Sequence, residues 1–464
     1  KDFKIPFLAI EPTKTEYRSL IDAIPELQIF TPGKNNVSPF VINPFIPPKG
    51  VTVESYTPSL AAAFKAAFSM PNPLPDIFLG AINDCYTEYG WKKSSTVDDP
   101  DIELFGMYEF IRVFKKTIEH SNYKGETKSN IESAGIVRLI SLIEQNSNIY
   151  DTIHTIPIDD LLHHPTVLEL NAINNKEQKS LIMALMLILF CVYTKNNVSG
   201  DGKLKNVLLI DEAHVLLGAK SSNGDGADSQ GSTVETLEDL IKEIRSYGTS
   251  IIIADQSPTS VGKEIVANTD VKIMFKLVEK DNKDAVKTAT NMSDLNYELL
   301  GRLGVGEALL HFGKLNNHLQ ISTYNVHDKA DIRDVILDDE VKPKIHYWES
   351  HQQLLMAHRE CPHNHCCVEI CDQVLRTNAD YAATKLVNDK LYTLENKEQF
   401  LRYLVTMNSE IKAIADKSSS ITFTKKFLNC TKIKFLRKAM VKKDFGITNS
   451  EYEQILKHPK FLLQ

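Results

Sequence analysis

The sequence predicts an α/β fold built on a mainly parallel sheet, and three observations carry that prediction. Short apolar runs of strand length occur at 6–10, 166–170, 206–210 and 250–254. None alternates polar with apolar residues, as expected where helices cover both faces of a strand. Helical patterns fill the intervals, at 179–194, 233–247 and 283–300, and strands alternating with helices stack into layers.

The first run, PFLAI at 6–10, begins almost at once after Lys1, which is not a methionine. That start predicts a piece of a longer polypeptide. Proline-rich turns (Pro44, Pro47, Pro48, then Pro71, Pro73, Pro75) punctuate 40–76. Helical patterns follow at 77–89, 103–119 and 129–145. The expected organisation is therefore the start of an α/β core at 1–65, a helical insertion at 66–155 and the rest of the core at 156–325. A helical, polar region completes it at 326–464. The longest apolar run, 181–193, is shorter than the roughly 20 residues a bilayer span needs, so it reads as a buried helix. The stretch 218–232, GAKSSNGDGADSQGS, has the composition of a surface loop.

At 464 residues the chain can bury two or three cores. Its net charge of −7 argues against a protein that coats nucleic acid, although a motor needs positive charge only along its channel. From Ile421 onward ten Lys/Arg face three Asp/Glu, with Phe423, Phe427, Phe435 and Phe445 among them. Two readings fit: an amphipathic helix pair with solvated lysines, or a contact for nucleic acid or an acidic partner. Of seven cysteines, four crowd into 361–371. That is no disulfide framework, and a reducing, cytoplasmic setting is expected, with no membrane span.

The strongest chemical signal is VLLIDEAH at 207–214. An apolar strand delivers Asp211 and Glu212 to its C-terminal end, where open α/β sheets place ligands. In nucleotide-hydrolysing motors the first such acid holds Mg²⁺ and the second polarises the attacking water. The plainer alternative is an acidic helix start favoured by the helix dipole. A second strand, SIIIADQSP at 250–258, ends in Gln256, suited to sensing a γ-phosphate by hydrogen bonding. Before it Arg245 stands at a helix end, and its planar fork matches phosphate oxygens. His214 reads as a packing or relay residue on the first helical turn, with a ligand role as the alternative.

LLIDEAHVLL at 208–217 and IRSYGTSIIIADQSPTSVGKEIVANTDVKIMFKL at 244–277 resemble the HerA branch of the HerA/FtsK superfamily of ring-forming motors. PFLAIEPTKTEYRSL at 6–20 resembles that family's second core strand and following loop, and VGEALLHFG at 305–313 its closing hairpin. The likeness covers roughly 5–90 and 160–325. It implies a RecA-like P-loop NTPase core using ATP and Mg²⁺. Asp211, as the Mg²⁺ ligand, and Glu212 would form the Walker B pair, with Gln256 as the sensor. Arg245 would be a finger reaching the neighbouring subunit, and Glu16 would lie near the γ-phosphate, with Lys14 as a further nucleotide contact. Asn268 and Thr269 fall in a matching segment without assigned chemistry. Implied partners are copies of the chain in a hexameric ring, duplex DNA in its channel, and an effector such as a nuclease or a sirtuin-like NADase, in DNA processing or antiphage defence. Two alternatives stay open: a conjugation- or secretion-type ATPase, and a ring scaffold that assembles an effector.

One departure matters. The phosphate-cradling GxxxxGK[ST] loop is not in this sequence. Its Gly-Lys pairs (Gly33-Lys34, Gly202-Lys203, Gly262-Lys263, Gly313-Lys314) lack the following Ser or Thr. The chain is expected to bind nucleotide by the family's mechanism only with that loop supplied from elsewhere. Finally, CPHNHCCVEIC at 361–371 offers thiols and imidazoles for a structural Zn²⁺. Cys361, Cys366, Cys371 and one of His363, His365 or Cys367 are the candidate ligands, His365 foremost among the last three. The alternative is reduced cysteines at a helix start.

Overall fold

A computed structural model describes residues 5–68, 70, 72–198, 203–217, 244, 247–314, 317–323, 325, 333, 335–355, 373–458 and 460–461. The expected loop at 218–232, most of the expected helix at 233–247, Arg245 and the whole cysteine cluster 361–371 lie outside the described residues.

In chain order the strands are β1 (Phe7–Glu11), β2 (Gln28–Phe30), β3 (Thr166–Glu169), β4 (Asn206–Ile210), β5 (Thr249–Ile253), β6 (Val271–Met274), β7 (Glu307–Phe312) and β8 (Leu319–Ser322). The helices that matter below are α1 (Val53–Phe68), α2 (Leu74–Glu88), α3 (Met107–His120), α4 (Gly125–Gln145), α5 (Lys176–Asn197), α6 (Lys280–Thr290), α7 (Asp294–Leu300), α8 (Gln373–Lys390) and α9 (Lys425–Lys442). The chain divides into two units. One comprises Lys1–Phe30, Ala62–Pro71 and Ile158–Lys344, and the other Thr31–Ala61, Asn72–Pro157 and Ile345–Gln464.

The first unit holds a five-stranded sheet in the order β2-β3-β1-β4-β5, with every pairing parallel. The predicted fold class therefore holds, and all four expected strands are present within a residue of their expected limits. β3 is buried along its whole length, its end residues Thr166 and Glu169 included. Parallel register needs a crossover, and α5 supplies it between β3 and β4. Its side chains from Ser180 to Val192 are all buried. Its length and composition would suit a membrane span, yet its apolar window is 83% buried within the protein, so it is a core helix. Asn175 opens it by accepting a hydrogen bond from the Gln178 N–H at 3.2 Å. At the start of β5, Gly248 has φ +81, and a Cβ there would stand 2.3 Å from the Lys203 carbonyl oxygen. Only glycine fits where the lead-ins to β4 and β5 approach so closely.

A separate antiparallel sheet, β6-β7-β8, packs Met274 and Leu309 with Val286, Met292, Leu300 and Leu303. The pattern at 283–300 predicted one helix. The chain instead breaks at Asn291, whose φ of +49 caps α6, and Ser293 starts α7. Asparagine tolerates the left-handed region that ends a helix.

The second unit is helical. Phe45, Phe78, Phe110 and Phe114 form an aromatic core, with Phe78 meeting Phe110 edge-on at 5.0 Å. Both readings of the basic tail are corrected for the middle of α9, whose cations are buried, while Lys425 and Lys426 at its start are exposed. Lys432, Lys434, Arg437 and Lys438 are at most 3% exposed. Lys434 Nζ lies 2.5 Å from Asp151 Oδ2, Arg437 Nη1 2.8 Å from Glu109 Oε1, and Lys438 Nζ 3.1 Å from Asp380 Oδ1. The composition revealed the charge but not the carboxylates that bury it.

Candidate functional site

The C-terminal edge of the five-stranded sheet gathers the predicted groups. β4 ends at Ile210, and Asp211 and Glu212 follow. The backbone stays zipped to its neighbours there: Asp211 N–H donates to the Ile10 carbonyl, Ala254 N–H to that of Ile210, and Ala213 N–H to that of Ala254. Thus β1, β4 and β5 finish at one level.

Glu212 occupies the left-handed region, with φ +44. A non-glycine residue there is strained and is held by its surroundings. Its N–H donates to Asp211 Oδ1 at 3.0 Å. Gln256, just past β5, donates from Nε2 to Glu212 Oε1 at 2.5 Å. On the other side His214 Nδ1 lies 3.3 Å from Glu212 Oε2 and 2.9 Å from Asp255 Oδ2. The structure therefore brings Asp211, Glu212 and Gln256 together, and joins His214 and Asp255 to them. Glu212, His214 and Asp255 could each lend an atom to a cation, the three atoms lying within 4.8 Å of one another.

Glu16 and Lys14 form an exposed pair at 2.7 Å in the loop after β1. Lys14 is raised above the ordinary lysine value by its hydrogen bond to Glu16 and that carboxylate's charge, and the charges of Asp211 and Glu212 raise it further. Asn268 and Thr269 close the short helix Lys263–Asn268.

Sequence reading missed two residues beneath this loop. Glu11, the last residue of β1, is fully buried and accepts hydrogen bonds from the N–H groups of Glu16 (2.7 Å) and Tyr17 (3.5 Å), folding the loop back over the sheet edge. Arg18, also buried, makes a two-pronged pair with Glu169 at 2.7 Å per bond and reaches Asp338 at 2.7 Å. The available signal was an acid at the C-terminal end of each run, Glu11 just past 6–10 and Glu169 within 166–170.

Arg18 neutralises Glu169, while Glu11 has only backbone donors. Burial pushes the Glu11 carboxyl up to about 7, helped by the charges of Glu169 and Asp211. Asp211 is raised too, by burial first and then by Glu212 and Glu16. Asp211, at the sheet edge beside Glu212, is an oxygen donor of the kind a hard divalent cation takes. A pH effect follows. Folded Glu11 holds its proton more tightly than unfolded Glu11. Its contribution therefore favours the folded state below about pH 4.5 and is lost as pH rises through about 7. Glu11→Gln is expected to gain about 2 kcal/mol over the parent between pH 5 and pH 8. Urea midpoints at the two values measure this, and parallel pH profiles for parent and variant would refute it.

Comparison with known proteins adds sequence kinship. The helicase HerA-like C-terminal family matches residues 137–318. The DNA double-strand break repair helicase HerA of Sulfolobus acidocaldarius is 26% identical over 180 residues, covering 37% of this chain and 35% of that protein. Its namesake from Sulfurisphaera tokodaii is 25% identical over 202 residues, 43% and 39% of the two chains. This chain thus spans little more than a third of the length of the curated relatives it matches. Among solved structures, VirB4 of Thermoanaerobacter pseudethanolicus aligns with a TM-score of 0.50 at 16% identity, over 70% of this chain and 84% of that one. At that identity the likeness concerns the fold alone.

Proposed function

We propose that this chain, which belongs to the HerA-like ATPases, is the hydrolytic part of a ring-forming motor that couples ATP turnover to movement along duplex DNA. One observation carries the reading: the Asp211–Glu212 pair stands at the C-terminal edge of a parallel sheet, with Gln256 2.5 Å from Glu212. A strand-end acid pair beside an amide provides a cation ligand, a base for water and a group able to register the γ-phosphate.

In this mechanism Asp211 would hold Mg²⁺, which supplies charge neutralisation for the phosphates. Glu212 would accept the proton of the attacking water, and Gln256 would orient Glu212 and the γ-phosphate relative to each other. Lys14 and Glu16, exposed in the loop after β1, would flank the nucleotide. Arg245 would complete the site of an adjacent copy. The phosphate cradle would come from a segment outside this sequence. Cytoplasmic action in DNA processing or antiphage defence, alongside a nuclease or another effector, belongs to the same proposal, as does a structural Zn²⁺ at Cys361, Cys366, Cys371 and His365.

The test is ATP turnover by the complete protein with and without duplex DNA, repeated across a salt series. Stimulation by DNA that weakens as salt rises is expected, because phosphate contacts release counterions. Turnover indifferent to DNA at every salt concentration would count against a DNA motor and favour a scaffold.

A further inference from the structure

We infer that His214, held by Asp255, is a positioning residue for Glu212: it fixes the carboxylate's orientation and so governs turnover rather than nucleotide binding. The inference rests on the reading of Glu212 as the base.

Glu212 sits on a strained backbone, φ +44, so its side chain needs external restraint. Gln256 takes one oxygen. His214 approaches the other, with Nδ1 3.3 Å from Oε2. The same Nδ1 lies 2.9 Å from Asp255 Oδ2. Ionised carboxylates only accept, so Nδ1 carries the proton and donates to Asp255, with Glu212 Oε2 alongside as a second, longer charge contact. The longer contact is to Glu212, which leaves that oxygen the less committed of the pair.

Asp255 is fixed from several directions. Its Oδ2 also accepts the His214 backbone N–H at 2.8 Å, and its Oδ1 accepts the Ser257 N–H at 2.9 Å. Ser257 and Thr259 donate their hydroxyls to Asn282 Oδ1 on α6, each at 2.8 Å, and buried Asn282 donates to Glu279 at 2.8 Å. The imidazole is thus braced through the turn after β5 and through α6, and its side chain is about a third exposed. A brace of this kind acts on the reaction by angle and distance, where misplacement of about 1 Å costs as much as 10²-fold.

The experiment uses the complete ATPase with His214→Leu, His214→Asn and Glu212→Gln. His214→Leu keeps bulk without a donor. It is expected to lower kcat roughly 10- to 100-fold with KM for ATP within about twofold. His214→Asn presents an N–H near the Nδ1 position and is expected to recover most of that loss. A kcat for His214→Leu within about twofold of the parent, or a His214→Asn as slow as His214→Leu, overturns the inference. Should His214→Leu fail to assemble, Asp255→Asn carries the test, with a loss of roughly tenfold in kcat expected and a parent-like kcat overturning it. Glu212→Gln separates the layers. Parent-like turnover there removes the base assignment and this inference with it, whereas an inactive Glu212→Gln beside an active His214→Leu removes the inference alone.

Discussion

Replacing Glu212 by glutamine is expected to reduce DNA-stimulated ATP turnover of the complete protein to below about 1% of the parent rate while leaving the oligomer and ATP binding in place. The substitution is nearly isosteric and keeps a carbonyl oxygen for Gln256 to donate to. What it removes is the basic oxygen, and general bases contribute roughly 10²- to 10⁴-fold. Glu212 is the better placed of the two candidate carboxylates. Its side chain is 12% exposed and engaged on both oxygens, whereas that of Glu16 is 66% exposed and tied to Lys14. Glu16→Gln is therefore expected to cost less than Glu212→Gln. Steady-state turnover, with nucleotide binding and oligomer size measured in parallel, checks both. A Glu212→Gln rate within tenfold of the parent would move the search for the base to Glu16.

The sequence made the sheet and its acid pair readable for one reason. A parallel strand in a layered fold leaves a run of apolar residues even where, as in β4 and β5, it is only partly buried, and the first polar residues after it mark the sheet's working edge. β4 with Asp211 and Glu212, and β5 with Gln256, follow that rule directly. The features that escaped it depend on partners distant in sequence or on elements too short to leave a pattern. β2 has three residues, Gln28–Phe30, fewer than any periodicity can register. Glu11 looked like the first loop residue, because its burial comes from a loop folding back through the N–H groups of Glu16 and Tyr17. Helix α1 carries Pro58 in its interior among other prolines, so the segment read as turns. Arg18 finds Glu169 across 151 positions, and Lys434 finds Asp151 across 283. No local pattern records pairings that long.

That last pair gives the largest expected effect on stability. Asp151→Ala is expected to destabilise the helical unit by about 3–5 kcal/mol, because removing one member of a buried pair strands the other's charge. The surroundings make the penalty specific. Lys434 and Asp151 are each 1% exposed. Burial alone would lower the Lys434 ammonium, but the charges of Asp151 and Asp380 outweigh it and hold the group above its ordinary value. Without Asp151, Asp380 at 3.3 Å must serve both Lys434 and Lys438. Arg437, whose Nη2 stands 3.7 Å from Asp151 Oδ1, keeps Glu109 and the face of Tyr108, 4.6 Å from its guanidinium carbon. Most of the cost therefore falls on Lys434, and removing both partners should relieve it. The double variant Asp151→Ala/Lys434→Met is expected to be more stable than Asp151→Ala alone, with a coupling of about 2 kcal/mol between the two sites. Thermal or urea unfolding of the four proteins of the cycle measures it. If the two substitutions add, the pair is no more than a bystander, and the burial of four cations on α9 must be balanced through Asp380 and Glu109 instead.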